Sequence, residues 1–300
     1  MVFSLQNTEE QVTKNNPRRM KEIEAMFRFA GRSVLIATLL ALASVTMLAQ
    51  EKKGSLSCRD SNNWYGDRLV GNCEIREQTV APSGGTLTID GRQNGGVSVK
   101  GWDQNQILVR AQVQTGAPNA GEAEQLARQV RIEIGGNKIF ASGPDNQKDY
   151  HWSVSYEVFV PRRSDLSVET HNGGIAFSEV NGRIDFSATN GGVVLRRCGG
   201  SVHGSTTNGG LVVELGGDHW DGETLDVSTT NGGVSMSLPE NYSAHLQTGT
   251  VNGSISVDFP VTVQGRITKE LALNLGSGGA TVKVTTTNGG VRIKRSSINQ

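Results

Sequence analysis

From Leu166 to Ile293, apolar or small side chains recur at alternate positions in short runs, and the same three residues interrupt them. Leu166, Val168 and Thr170 lead to Asn172; Leu225, Val227 and Thr229 lead to Asn231; Val282, Val284 and Thr286 lead to Asn288. Beyond the interruption the alternation resumes at the third, fifth and seventh successors of the asparagine. Leu211, Val213 and Leu215 follow this rule, as do Val234, Met236, Leu238 and Ile255, Val257, Phe259. A period of two means strands with one buried face.

The interruption is Asn-Gly-Gly followed by an aliphatic residue. It occurs at Asn94, Asn172, Asn190, Asn208, Asn231 and Asn288, with variants at Asn181 and Asn252 and a degenerate copy at Cys198-Gly199-Gly200. Between 172 and 208 the copies step by nine residues, and a fixed period indicates a repeat architecture. The phase slips at each asparagine, from even offsets before it to odd offsets after it. Such a slip makes a corner instead of a hairpin, so that successive strands keep facing one interior. We expect asparagine and glycine there for their tolerance of left-handed backbone. Parity places the asparagines inward, in a ladder between coils. A coil of about eighteen residues buries roughly six apolar side chains, too few to offset its own ordering entropy. Stacked coils share a core. The fold class is therefore all-β, a β-solenoid with Asn-Gly-Gly corners at Asn172, Asn181, Asn190, Asn208, Asn231, Asn252 and Asn288.

The chain divides into five stretches. Residues 162–296 form the regular solenoid and 297–300 a tail. Residues 74–161 are β-rich but irregular, with alternating runs at Ile107–Val113 and Trp152–Val160. They contain one short helix near Asn119 to Gln129, with Asn119 and Glu122 as a capping box. The helix shields an end or side of the sheet. Residues 50–73 are loop-like, and Cys58 and Cys73 are a candidate disulfide worth about 3 kcal/mol across ~15 residues. Cys198 is left over within the repeats.

Residues 1–49 are an export signal. Arg28 and Arg32 precede the apolar run from Val34 to Ala49, which ends in small residues. Cleavage follows Ala43 or Ala49, and the true start is Met20 or Met26. A run of sixteen residues falls short of the ~20 that span a bilayer; an uncleaved leader is the one route to a membrane. Three cysteines suit an oxidising compartment, periplasm or cell surface.

Glycine occurs 38 times, 37 of them after residue 50, about twice the ~7% usual frequency. The excess marks many tight turns. Beyond residue 50 there are 23 basic and 25 acidic side chains with no basic cluster, which argues against a nucleic-acid partner.

No residues assemble a reaction. The five histidines, His151, His171, His203, His219 and His245, lack ligand spacing for a metal. The repeat has no aspartate where calcium-binding nonapeptides need one. Outward Asp185, Glu214, Asp226, Asp258, Arg292 and Lys294 fall in no column of the kind a polysaccharide-cleaving β-helix uses. No cofactor is expected, and the protein is read as a non-enzyme. The insertions at Asp218–Asp221, Pro239–Tyr242 and residues 260–279 are the candidate binding loops. In them, Trp220 and Tyr242 either stack on sugar rings or lid the core.

The repeated Thr-Asn-Gly-Gly-Val corners, Cys73–Glu77, Gly101-Trp102-Asp103 and Ser155–Val158 resemble the bacterial "putative adhesin" family of exported solenoids, over residues 58 to 295. The resemblance implies a β-solenoid at the cell envelope and supplies no catalytic residues. The expected function is a non-enzymatic, adhesin-like binding or scaffold protein whose partner is an envelope glycan or protein. A self-assembling or envelope-stress signalling module is the alternative, and a polysaccharide-acting enzyme the third.

Overall fold

The computed structural model describes residues 56–58, 68–260 and 269–296. The proposed leader, the tail and part of the longest insertion lie outside the described residues.

Among the described residues twenty strands form two ten-stranded sheets. Six sheet-II/sheet-I pairs carry the regular repeat: β8 (Leu166–Thr170) with β9 (Ile175–Ser178), β10 (Asn181–Ala188) with β11 (Val193–Arg196), β12 (Gly199–Asn208) with β13 (Leu211–Glu214), β14 (Thr224–Asn231) with β15 (Val234–Leu238), β16 (Ala244–Asn252) with β17 (Ile255–Val257), and β19 (Thr281–Asn288) with β20 (Val291–Arg295). Each pair is one coil, and equivalent strands of neighbouring coils run parallel and in register, as in Ile184↔Val202 and Val193↔Leu211. Alternation places Leu166, Val168, Ile184, Val202, Leu225, Val227, Val282 and Val284 of one sheet against Ile175, Phe177, Val193, Leu211, Val234 and Ile293 of the other in a single buried core. In the outermost coil Ile255, Val257 and Phe259 are only half-buried, since β17 is an edge strand with a neighbour on one side alone.

The coil architecture extends into the stretch read as irregular. β2 (Leu87–Asp90) and β3 (Val97–Trp102) form a coil on β8 and β9, and β6 (Lys138–Ser142) and β7 (His151–Pro161) form another on β2 and β3. Antiparallel β1 (Val70–Val80) and β4 (Ile107–Ala117) finish sheet I; antiparallel β5 (Arg131–Gly135) finishes sheet II. Helix α1 (Ala120–Gln129) packs on β4 and β1 with Ala123, Leu126 and Ala127 buried. Asn119 caps it by accepting from the Glu122 N–H at 3.0 Å. Arg76 of β1 closes the other end, donating to the carbonyls of Ala127 and Val130. Cys58 and Cys73 are bridged, pinning β1 to the segment before it.

Spatial order departs from chain order at both ends. β2/β3 lies between β6/β7 and β8/β9, and β19/β20 lies between β14/β15 and β16/β17. Antiparallel β18 (Glu270–Leu275) then borders β16.

Two details of the corners differ from expectation. The asparagines form a ladder, but at the exposed edge. Each side-chain amide donates to the Oδ1 of the next, from Asn252 through Asn288, Asn231, Asn208, Asn190 and Asn172 to Asn94, at 2.7–3.0 Å. Inward parity ends two residues earlier, at Thr170, Thr206, Thr229, Thr250 and Thr286. These hydroxyls are buried and donate to the corner glycine carbonyl of an adjacent coil at 2.6–2.7 Å. Asn181 sits on the opposite edge and bonds Asp221 at 2.6 Å instead.

Nor do the Asn-Gly-Gly residues adopt positive φ. Glycine is required there by proximity. A Cβ on Gly173, Gly191, Gly209, Gly232 or Gly289 would fall 1.9–2.2 Å from the carbonyl oxygen of the neighbouring corner. At the second glycine the corresponding gap is 3.2–3.6 Å for Gly174, Gly192, Gly210, Gly233 and Gly290, and in the Asn252 corner serine replaces it.

Candidate functional site

Trp220 and Tyr242 do not present binding surfaces. Trp220 is 4% exposed and donates its indole N–H to the Gly200 carbonyl at 2.9 Å; Tyr242 is 2% exposed. Both belong to the main core, where the insertions fold them over the return corners. The Tyr242 hydroxyl has no hydrogen-bond partner, and burial pushes its pKa upward.

The return edge holds the groups that could suggest chemistry. Arg162 bridges Asp103 and Glu179 at 2.6 and 2.8 Å, and Glu179 also binds Arg197 at 2.8 Å. Cys198 shares a cleft with His219, which bonds Asp218 at 2.6 Å. A thiolate nucleophile needs a lowered pKa. Burial instead pushes this thiol up to about 11, and it donates to the Arg196 carbonyl. On the outer side of sheet I, the fully buried Glu157 carboxylate sits between Lys100 and Arg110, each at 2.5 Å, and Glu77 flanks Arg110 at 2.7 Å. This alternating row ties β1, β4, β7 and β3 together. Among the described residues no cluster of three His, Cys, Asp or Glu side chains could hold a metal ion.

The outer face of sheet II differs. Strand register aligns Ser187, Ser205, Ser228 and Thr285 across four successive coils, and Thr189, Thr207, Thr230 and Thr287 stand two residues further on. The result is a grid of eight hydroxyls, about 4.8 Å apart between strands and about 6.7 Å along them. None of the eight side chains hydrogen-bonds another described residue, whereas the inward Thr206, Thr229 and Thr286 between them all do. Ser228, Thr230, Thr285 and Thr287 also border a shallow hollow of about 480 Å³ shared with Gln247, Lys283 and Glu270.

Residues 162–294 match the family model described as Toastrack DUF4097. This segment belongs to the Toastrack family. Its span holds the six coils from β8/β9 to β19/β20, and the coils β2/β3 and β6/β7 continue the Toastrack stack ahead of it. No curated protein matches the chain.

Three solved structures are similar to the chain. One, described as "a putative cell adhesion protein" from Clostridium sporogenes, is 11% identical, with TM-score 0.41, and the match covers 75% of this chain and 100% of that one. A "putative adhesin" from Bacteroides fragilis is 11% identical, with TM-score 0.38 and coverage of 74% and 97%. A "putative lipid binding protein" from Parabacteroides distasonis is 10% identical, with TM-score 0.30 and coverage of 75% and 97%.

Proposed function

We propose that the protein is an exported, non-enzymatic, adhesin-like binding protein that contacts polymers of the cell envelope through the outer face of sheet II. The hydroxyl grid carries this reading. Eight Ser and Thr side chains stand in two columns on a rigid frame, with every hydroxyl free to exchange water for a ligand. The register also aligns Asp185, His203, Asp226 and Lys283 in a column beside the grid, against the expectation that the outward charges share none; the two hydroxyl columns themselves carry no charge and suit a repeating partner, because each of the four coils offers the same pair of groups. An envelope glycan supplies matching hydroxyls along its length. Individual contacts of this kind are weak, and their number makes the binding. The Cys58–Cys73 bridge supports export, since such bonds persist in oxidising compartments.

The test is retention on insoluble cell-wall polysaccharide and peptidoglycan. Wild type is expected to be retained. Thr207→Glu with Thr230→Glu and Thr287→Glu, which adds three like charges to the face, is expected to abolish retention. Ser235→Glu on sheet I serves as the control. Equal retention of the triple variant and wild type, or no retention of wild type, overturns the reading.

A further inference from the structure

Along the Asn edge, seven coils turn through Asn-Gly and pack backbone against backbone. The eighth, β6/β7, turns instead through the loop Gly143–Tyr150. Where that loop swings away from the corner of β2/β3, it leaves a pocket of about 410 Å³. This is within the size range of small-molecule sites.

The groups around it are organised. Trp152 is half-buried, its indole N–H donating to the Pro144 carbonyl at 2.6 Å and its backbone N–H to Asn146 Oδ1 at 2.9 Å. A Cβ on Gly143 would come within 3.0 Å of the indole, so the loop seats the ring closely. Ser153 lines the pocket too. It is 5% exposed, and its buried hydroxyl has no hydrogen-bond partner, an arrangement native proteins seldom leave unexplained. At the rim, Asn94 ends the asparagine ladder. It accepts from Asn172 at 3.0 Å, but its own amide N–H groups donate to no protein atom. Six aligned carboxamides stand behind that donor, and hydrogen-bonded chains polarise in one direction. Asp145 contributes an exposed acceptor, and Arg92 is already paired with Asp90 and laid over the Phe140 ring.

We infer that this pocket is a saccharide site, separate from the sheet II face, which holds one pyranose ring against Trp152. A sugar has an apolar C–H face for an indole and hydroxyls that both donate and accept. The pocket offers donors at Asn94, acceptors at Asp145 and one aromatic wall. A strongly charged ligand fits less well, because the single cation is already paired.

The experiment follows the indole N–H resonances of the 15N-tryptophan-labelled native protein during titration with glucose, galactose and N-acetylglucosamine. The Trp152 signal is identified by its loss in Trp152→Phe. It is expected to shift saturably with at least one of these sugars, with a Kd on the order of 1 mM, while the Trp102 and Trp220 signals stay in place. Asn94→Ala and Asp145→Ala are each expected to weaken binding at least about fivefold. The second variant alters a side chain that bonds nothing in the protein, so it leaves the fold alone. No saturable shift with any of the three sugars overturns the site, as does wild-type affinity in both variants. Wall-polymer retention through sheet II can fail or succeed independently of either result.

Discussion

The two edges of the solenoid are built on different principles. At the Asn edge each coil turns in the same few residues, and the corner glycine's missing side chain is replaced by the next coil's backbone. At the return edge the turns vary in length: Glu179-Val180 suffices in one coil, whereas nine residues separate Glu214 from Thr224 in another. Left-handed residues such as Glu179, Arg197 and Gly217 make those turns, and ion pairs tie two of them together. Main chains also meet closely on the return edge, where a Cβ on Gly182 or Gly200 would fall 2.3 or 2.1 Å from a carbonyl oxygen of the neighbouring coil, but that edge absorbs most of the insertions. The coil that abandons the Asn-Gly corner also has a pocket at that edge.

The largest expected effect comes from length. One alanine inserted between Gly191 and Gly192 forces a gap into backbone packing on both sides, and urea unfolding is expected to show a loss of about 4 kcal/mol or more. The same insertion between Gly217 and Asp218, on the return edge, stays within about 1 kcal/mol. Comparable losses at the two sites would erase the distinction.

Substitution within one strand sharpens it further. Thr229→Val leaves the Gly209 carbonyl without its side-chain donor at 2.7 Å and is expected to lower the unfolding free energy by about 1–2 kcal/mol. Thr230→Val, on the outward grid, changes it by less than about 0.5 kcal/mol. A smaller step separates the middle of the ladder from its end. Asn208→Ala removes two amide bonds, at 2.8 and 2.9 Å, for about 1 kcal/mol, and Asn252→Ala removes one, for roughly half that.

Much of this was legible from spacing alone. Alternation located the inward faces of β8 to β15, because one buried side chain in two leaves no other reading for Leu225-x-Val227 or Val234-x-Met236. The cap at Asn119 and the Cys58–Cys73 bridge were local and equally readable. The orientation of the asparagines was not. Parity counts residues and cannot tell that the chain begins to turn at the threonine, two positions early. Nor could spacing reveal why glycine stands at the corner, since the atom that excludes a Cβ belongs to a different coil. Trp220 and Tyr242 illustrate a second limit. An aromatic residue in an insertion can reach out or fold back, and only the space over the return corner decides. The pocket beside Trp152 draws on three segments, near Asn94, Asp145 and Ser153, whose juxtaposition follows from β2/β3 lying inside β6/β7. No local pattern encodes that order.

A further expected effect belongs to the return edge and depends on pH. With the Cys198 thiol raised from 9.0 to about 11, the folded state keeps its proton where the unfolded chain has lost it. Stability relative to Cys198→Ala is then constant below pH 9 and falls as the pH climbs from 9 to about 11. Urea midpoints of the two proteins at pH 8 and pH 11 check the sign.

The account depends most on coils that touch through their main chains at the Asn-Gly corners. Urea unfolding of Gly191→Ala beside Gly192→Ala tests this with one methyl group in adjacent residues: the first meets a carbonyl oxygen at 1.9 Å, the second at 3.3 Å. A loss of about 3 kcal/mol or more for the first and under about 1 kcal/mol for the second is the predicted outcome. Equal tolerance of both methyl groups would mean that the corners do not meet there, and the stack as described would be wrong.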